Sequence, residues 1–232
     1  MALKHIADIV KGLVDKLDHD FIITTNTDMG GGVHKLFTTN TYYLTELKVI
    51  EIAGLNYRVT ELKFNEYVVV EPVGHTTSII VDSFNLPAPD FFHGTVKTVD
   101  NEVQLFMEQN PNKYPIVYLF RYITERIPLD PVSPGNRESP VRLFILDQSN
   151  YDDYLNEDFK EKVEKPLMNV EAKLFEVIKK DTGIGRLSGF YDRTDLTRFA
   201  RFTNDGNIEL VFSENLTALD LNIPLRIKES CE

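Results

Sequence analysis

Two nearly continuous apolar runs constrain the fold of this chain most strongly. The first run, YPIVYLFRYI, spans 114–123, and the second, VRLFILD, spans 141–147. A strand with one solvated face alternates apolar and polar residues, whereas a strand covered on both faces is apolar almost throughout. The two runs therefore predict strands that are buried on both faces.

Apolar spacing of three and four residues predicts two helices. The first covers 2–18, and a longer one follows Ser149 and ends near Gly183. Pro166 lies inside the longer helix, but the apolar stripe continues past it, which predicts a kink rather than a break. The stripe of the longer helix consists of Phe159, Val163, Leu167, Val170, Leu174 and Ile178.

The segment between the first helix and the first apolar run is rich in β-branched and aromatic residues. Turn residues at 54–56 and 65–66 divide it into short strands, as in a small barrel or sandwich. TSIIVDSF (77–84) predicts a further strand, and Pro87 and Pro89 exclude a central strand around them. Downstream, 183–207 reads as a polar loop with a short helix at about 193–201, and NIPLRIKE (222–229) as an edge strand.

This order of elements predicts an α+β fold with two domains. Residues 1–20 and 110–232 form the α+β domain, and 21–109 form an inserted β-rich domain.

Charge and cysteine content exclude several classes of protein. The chain has 25 Lys and Arg against 36 Asp and Glu, a net charge of −11, which disfavours tight binding to a nucleic-acid backbone. Its one cysteine, Cys231, permits neither a disulfide framework nor a zinc cluster within one chain. Neither a signal peptide nor a membrane-spanning segment is expected, so we predict a soluble protein without membrane contact.

Motifs of catalysis and cofactor binding do not assemble in this sequence. Asp90 and His93 form the only close acid–histidine pair, and two ligands do not make a metal site. The glycines at 30–32 and at 183–189 lack the strand–loop–helix context of a phosphate-binding loop. We therefore predict no catalytic residue, no cofactor and no metal.

The stretch LPAPDFFHGTV (86–96) supplies the candidate contact residues. Prolines on either side of Ala88 stiffen the chain before Phe91 and Phe92, which lowers the entropic cost of holding both rings in place. The rings either close the protein's own core or contact a neighbouring subunit. A second candidate contact is the proline-rich segment 124–140, a solvated loop or a strap across a neighbour, with Ile127, Leu129 and Val132 as its apolar residues.

Several stretches, taken in order, resemble a known family. They are NYRVTELKFNEYVVVEP, LPAPDFFHGTV, YPIVYLFRYITERI, VRLFILDQSNYDDYL and KPLMNVEAKLFEVI. Over most of its length the chain resembles virion neck proteins of tailed bacteriophages, in particular ring proteins of crAss-like phages. The α+β part is similar to the tail-terminator (tail-completion) fold, from which the β-rich insertion departs.

The resemblance implies a structural protein of the virion, assembled in the bacterial cytoplasm. Its partners would be other copies in a homo-oligomeric ring, the neighbouring neck, portal-side or tail proteins, and genomic DNA that only passes through the lumen. The alternative is a module of the phage tail that binds a host receptor or carbohydrate. Its stacking residues would be Tyr42, Tyr43, Tyr57 and Tyr67.

Overall fold

A computed structural model describes nine segments of the chain, which fold as two compact units. Unit 1 comprises 1–17, 89–149 and 171–232, and unit 2 comprises 18–88 and 150–170. The first unit thus takes in 89–109, which the sequence had assigned to the β-rich domain. The described segments are 5–109, 115–120, 125–126, 136–148, 159–185, 190–196, 200–202, 208–210 and 216–228.

The described residues of unit 1 centre on a mixed five-stranded sheet with the order β11-β14-β10-β9-β8. Only the β8–β9 pair is parallel, and α2 makes the crossover between these two strands, as parallel pairing requires. A separate pair, β12–β13, lies in the same unit. The elements are α1 (Ile6–Val14), β8 (Asp90–Gly94), α2 (Val96–Gln109), β9 (Ile116–Phe120), β10 (Asn136–Gln148), α3 (Lys165–Lys180), β11 (Asp192–Leu196), β12 (Ala200–Phe202), β13 (Ile208–Leu210) and β14 (Leu216–Lys228).

Helices lie on both faces of this sheet. One row of paired residues runs across it through Phe92, Tyr118 and Phe144, and Val99 of α2 packs against that row. The neighbouring row points to the opposite face and includes His93 and Arg193. Burial on both faces explains why β9 and the middle of β10 are apolar without alternation.

Unit 2 contains an antiparallel five-stranded sheet with the order β2-β3-β6-β5-β4 and a two-stranded pair, β1–β7. The pairs β2–β3, β4–β5 and β5–β6 join through short turns, whereas β3 and β6 are distant in the chain. Ala53 and Gly54 adopt positive φ in the β4–β5 hairpin. The strands are β1 (His19–Ile22), β2 (Thr25–Gly30), β3 (Val33–Phe37), β4 (Val49–Ile52), β5 (Leu55–Lys63), β6 (Tyr67–Pro72) and β7 (Ser83–Leu86).

The long helix contains an irregular first turn. A π-helical turn, Lys160–Glu164, precedes α3, and the Lys165 N–H bonds to the Lys160 carbonyl. Pro166 follows directly and cannot donate a backbone hydrogen bond. The change from π-helical to α-helical hydrogen bonding therefore falls where the proline already interrupts the series of helical hydrogen bonds. The predicted stripe is buried throughout, and the division between the two units falls inside α3, after Val170.

The α+β class is confirmed, but four local expectations were wrong. The segment 96–109 is α2 and not a strand, and 192–196 is β11 and not a helix. The segment 76–82 is irregular, and the NIPLRIKE stretch belongs to β14, which lies inside the sheet between β11 and β10. Tertiary pairing outweighed local propensity in each strand. The described part of unit 2 forms no closed barrel, since β2 and β4 remain at its two edges.

Candidate contact surface

The candidate residues Phe91 and Phe92 lie in β8, an edge strand, and not in a loop. Pro89 immediately precedes the strand, a position that suits proline because no ladder hydrogen bond is lost there. Both side chains are half-buried. Because neighbouring residues of a strand point to opposite faces, the two rings do not form one apolar plug.

Each of the two rings has its own surroundings. Phe92 packs against the core cluster of unit 1, in the row that contains Tyr118 and Phe144. Burial raises the pKa of Tyr118 to about 12, and its hydroxyl donates to the Gly94 carbonyl at 3.0 Å. Phe91 points to the other face of β8. A subunit contact through either ring stays a prediction.

The same alternation separates Asp90 from His93. Three positions apart in a strand, their side chains leave opposite faces of the sheet, so they cannot act as an acid–histidine pair. The His93 ring instead lies 5.8 Å from the His5 ring, at the start of α1.

The three candidates of the proline-rich segment, Ile127, Leu129 and Val132, lie outside the described residues. The segment leads into β10, which pairs with β14 over its full length. Pro140 and Pro224 face each other in that ladder.

A cleft of about 430 Å³ lies beside these two prolines, on the sheet face that Phe144 occupies. Sequence analysis had not identified it. Phe120 and Phe190 contribute aromatic rings, and Asp192 and Asn222 contribute polar groups. The cleft thus combines apolar walls with a few polar groups, the usual composition of a recognition site.

Arg142 lines this cleft and is held in place by Asp220. The Arg142 Nε and Nη2 atoms donate to the two carboxylate oxygens at 2.9 and 2.6 Å. The guanidinium also lies 5.0 Å from the Phe144 ring. Asp220 is almost fully buried, whereas Arg142 is about half exposed, so the pair presents a fixed cation at the surface of the cleft.

Phe190 is the most exposed large apolar side chain that the structure describes, at 96%. The next residue, Tyr191, is anchored on α3, where its hydroxyl donates to Glu171 at 2.7 Å and its ring lies 4.2 Å from Phe175. Arg193 adds an ion pair with Glu171 at 3.2 Å. Because Tyr191 is anchored, the backbone next to it is held beside the cleft, and the Phe190 ring is exposed to solvent there.

Three of the four tyrosines proposed as a carbohydrate-stacking surface are buried. Tyr42, Tyr43 and Tyr57 are at most 4% exposed, and only Tyr67 is partly accessible. Their hydroxyls serve the fold, since Tyr43 donates to the Pro87 carbonyl and Tyr57 to the Thr77 carbonyl. These residues do not form an exposed platform.

Within the described segments, no group of three or more His, Cys, Asp or Glu side chains is placed to hold a metal ion. None of the helices described there is long and apolar enough to cross a membrane. Comparison of the chain with protein-family models, with curated proteins and with solved structures finds no match.

Proposed function

We propose that this protein is a structural component of a tailed-bacteriophage virion. It forms a homo-oligomeric ring in the neck, where it joins head to tail and lets the genome pass. The order of the five sequence stretches described above supports this role, as does an α+β unit with an N-terminal helix and a long helix.

The observation that carries the proposal is the exposed Phe190 ring beside the cleft. Aromatic and arginine side chains are enriched where protein surfaces bind one another. Phe190 and the fixed Arg142 supply both kinds of residue on one surface of unit 1. A neighbouring subunit would bury the ring and contact the arginine.

A ring of identical subunits needs two different surfaces that bind each other head to tail. The cleft is one such surface in our proposal, and the β8 edge with Phe91 is its candidate complement. The net charge of −11 supports the passage of DNA, because acidic walls repel phosphates and do not hold the duplex.

Light scattering of the purified protein tests the assembly. We expect a discrete mass that is a multiple of 26.7 kDa, with a ring visible by negative-stain electron microscopy. Phe190→Ala should lower the ring fraction at least tenfold at equal concentration, since central aromatic contacts commonly contribute about 2 kcal/mol or more. Phe91→Ala tests the complementary edge in the same way.

Ile80→Ala is the matched control, because Ile80 is 91% exposed and belongs to unit 2. It should leave the mass unchanged. A monomer at every concentration, together with absence of the chain from purified particles of the phage that encodes it, would contradict the proposed function.

A further inference from the structure

An irregular segment of unit 2, residues 75–79, is held to the sheet by side chains instead of a β-ladder. Two hydrogen bonds reach the backbone of Ile79: its N–H donates to His34 Nε2 at 3.1 Å, and its carbonyl accepts from Asn26 Nδ2 at 2.9 Å. Two more reach Thr77, whose N–H donates to His75 Nδ1 at 3.2 Å and whose carbonyl accepts from the Tyr57 hydroxyl at 2.8 Å. We call the segment 75–79 the clasp.

The hydrogen bonds define the protonation state of His34. Its Nε2 accepts a backbone N–H and therefore carries no proton. Its Nδ1 lies 2.8 Å from Asn26 Oδ1, an oxygen that can only accept, so Nδ1 carries the proton. The ring is 2% exposed, and the geometry requires it to be neutral.

His75 repeats this arrangement with the roles of its two nitrogens exchanged. Nδ1 accepts the Thr77 N–H, and Nε2 donates to the Asn56 carbonyl at 2.9 Å. The ring packs edge-on against Tyr57 at 4.8 Å. Both histidines thus accept a backbone N–H of the clasp through a nitrogen that has no proton. His34 does so from the sheet, whereas His75 lies in the clasp itself and reaches the sheet through its Nε2–H and the Asn56 carbonyl.

We propose that the clasp is a pH-dependent latch, which closes over the sheet when His34 and His75 are neutral and opens when they take up protons. A protonated ring has two donors and no acceptor, so it places an N–H against the backbone N–H of Ile79 or Thr77. Histidine is the side chain whose charge ordinarily changes between about pH 8 and pH 5.

The strand register shows on which sheet face the other titratable groups near the clasp lie. Asp28 is the cross-strand partner of His34 on the same sheet face, but its Oδ1 accepts the Gly30 N–H at 2.7 Å. Tyr57 carries a neutral hydroxyl, and Asp82 follows the clasp along the chain. The charged strand residues on the opposite face are Lys35, Glu51, Arg58, Glu61, Lys63 and Glu71.

Opening of the latch changes the surface of unit 2. Ile79 is buried, and its N–H bonds to His34 on the sheet face that also carries Leu36 and Val70, both fully buried. Release of the clasp therefore exposes apolar surface, whereas the ladder between β5 and β6 keeps its backbone hydrogen bonds.

Hydrogen exchange monitored by NMR on the full chain tests the latch directly. Between about pH 8 and pH 5 the protection of the Ile79 and Thr77 amides, corrected for the intrinsic exchange rate, should fall about tenfold. It should follow the imidazole signals of the two histidines, while amides of the β5–β6 ladder stay protected. Binding of an apolar dye should rise over the same range.

His34→Gln and His75→Gln are the matched variants, because glutamine keeps a donor and an acceptor but cannot take up a proton. In the double variant the protection of both amides should vary less than twofold with pH. An equal loss of protection in this variant would assign the effect to carboxylates and overturn the proposal.

A measurement on the unmodified protein covers the case in which the variants fail to fold. Nitrogen chemical shifts of the imidazoles at about pH 8 should show the proton of His34 on Nδ1 and that of His75 on Nε2. The opposite tautomers, or amide protection that stays constant while both rings titrate, would rule out the latch.

Discussion

The two five-stranded sheets that the structure describes are covered in different ways. In unit 1, helices lie on both faces, and rows of apolar side chains run across strands that are distant in sequence. In unit 2, three of the four strand pairs of the five-stranded sheet join through short turns, and the irregular segment 75–79 is bonded to the sheet face that carries His34. Helix packing depends on buried area, whereas the clasp depends on a few directed hydrogen bonds.

This difference makes the two units sensitive to different changes. Apolar packing is non-directional and does not respond to pH, so unit 1 loses stability mainly when volume is removed from its core. A backbone segment held by imidazole acceptors responds to protonation and to small changes of shape beneath it. Three substitutions sharpen the comparison.

Leu119→Ala should have the largest effect. Leu119 is fully buried in β9, between the helix-covered faces of unit 1, and its truncation leaves a cavity. We expect the free energy of unfolding to fall by about 3 kcal/mol, measured by urea denaturation. Val73→Ala, at an exposed site of unit 2, is the control and should change it by less than about 0.5 kcal/mol. Equal effects would contradict the assigned core.

Gly32→Ala should have an intermediate effect on unit 2. Gly32 has a φ of +82°, and an added Cβ would lie 3.0 Å from Pro72 Cγ and 3.2 Å from the Thr76 carbonyl oxygen, in the clasp. We expect a loss of about 2 kcal/mol, in which backbone strain accounts for about 1 kcal/mol.

Gly54→Ala is the matched control for this substitution. Gly54 has a nearly equal φ of +80°, but an added Cβ would meet nothing within 4 Å. Thermal denaturation should therefore show a smaller loss for Gly54→Ala, with the strain alone remaining. Equal losses would mean that the close approach between Gly32 and Thr76 does not constrain the clasp.

Lys16→Met should have the smallest effect and should depend on pH. Lys16 Nζ donates to Asp181 Oδ2 at 2.6 Å, and this bond, together with backbone N–H donors, lowers the pKa of that carboxyl against the opposing effect of burial. A lowered pKa stabilises the fold above the pH at which an unfolded aspartate titrates, about 4, and this contribution disappears as the pH falls.

The partly exposed pair should contribute about 0.5 kcal/mol at pH 7 and almost nothing at about pH 2. Urea denaturation at the two pH values measures the difference between Lys16→Met and the unmodified protein. Lys11→Met is the control, because Lys11 pairs with Asp15 on the exposed side of α1. A loss for Lys16→Met that is equal at both pH values would exclude the ion pair as its cause.

Long periodic segments were predictable from the sequence. The stripe from Phe159 to Ile178 is buried as expected, and the two apolar runs contain β9 and the second half of β10. The sequence does contain a signal for the cleft. Arg142 and Asp220 are each flanked by apolar residues in their strands, and a cross-strand ion pair is the ordinary way to bury such a carboxylate.

Short and isolated elements were not predictable in the same way. The helix α2 begins directly after Thr95, whose hydroxyl bonds to that of Thr98 in the first turn. This is a weak start signal inside a segment rich in β-branched residues. Residues 192–195 of the strand β11 are exposed, and the strand exists because β14 pairs with it. The positions of His34 and His75 in the chain do not indicate that His34 accepts a backbone N–H from the segment that contains His75.

Apolar periodicity alone determined which stretches are buried and that the fold is α+β, because the removal of apolar surface from water depends on composition and spacing. Only the tertiary structure decided where Phe91 and Phe92 point, that Phe190 stands beside a cleft, and that two histidines hold the clasp. These features depend on strand register and on hydrogen bonds between residues far apart in the chain, and both are set when the strands pair.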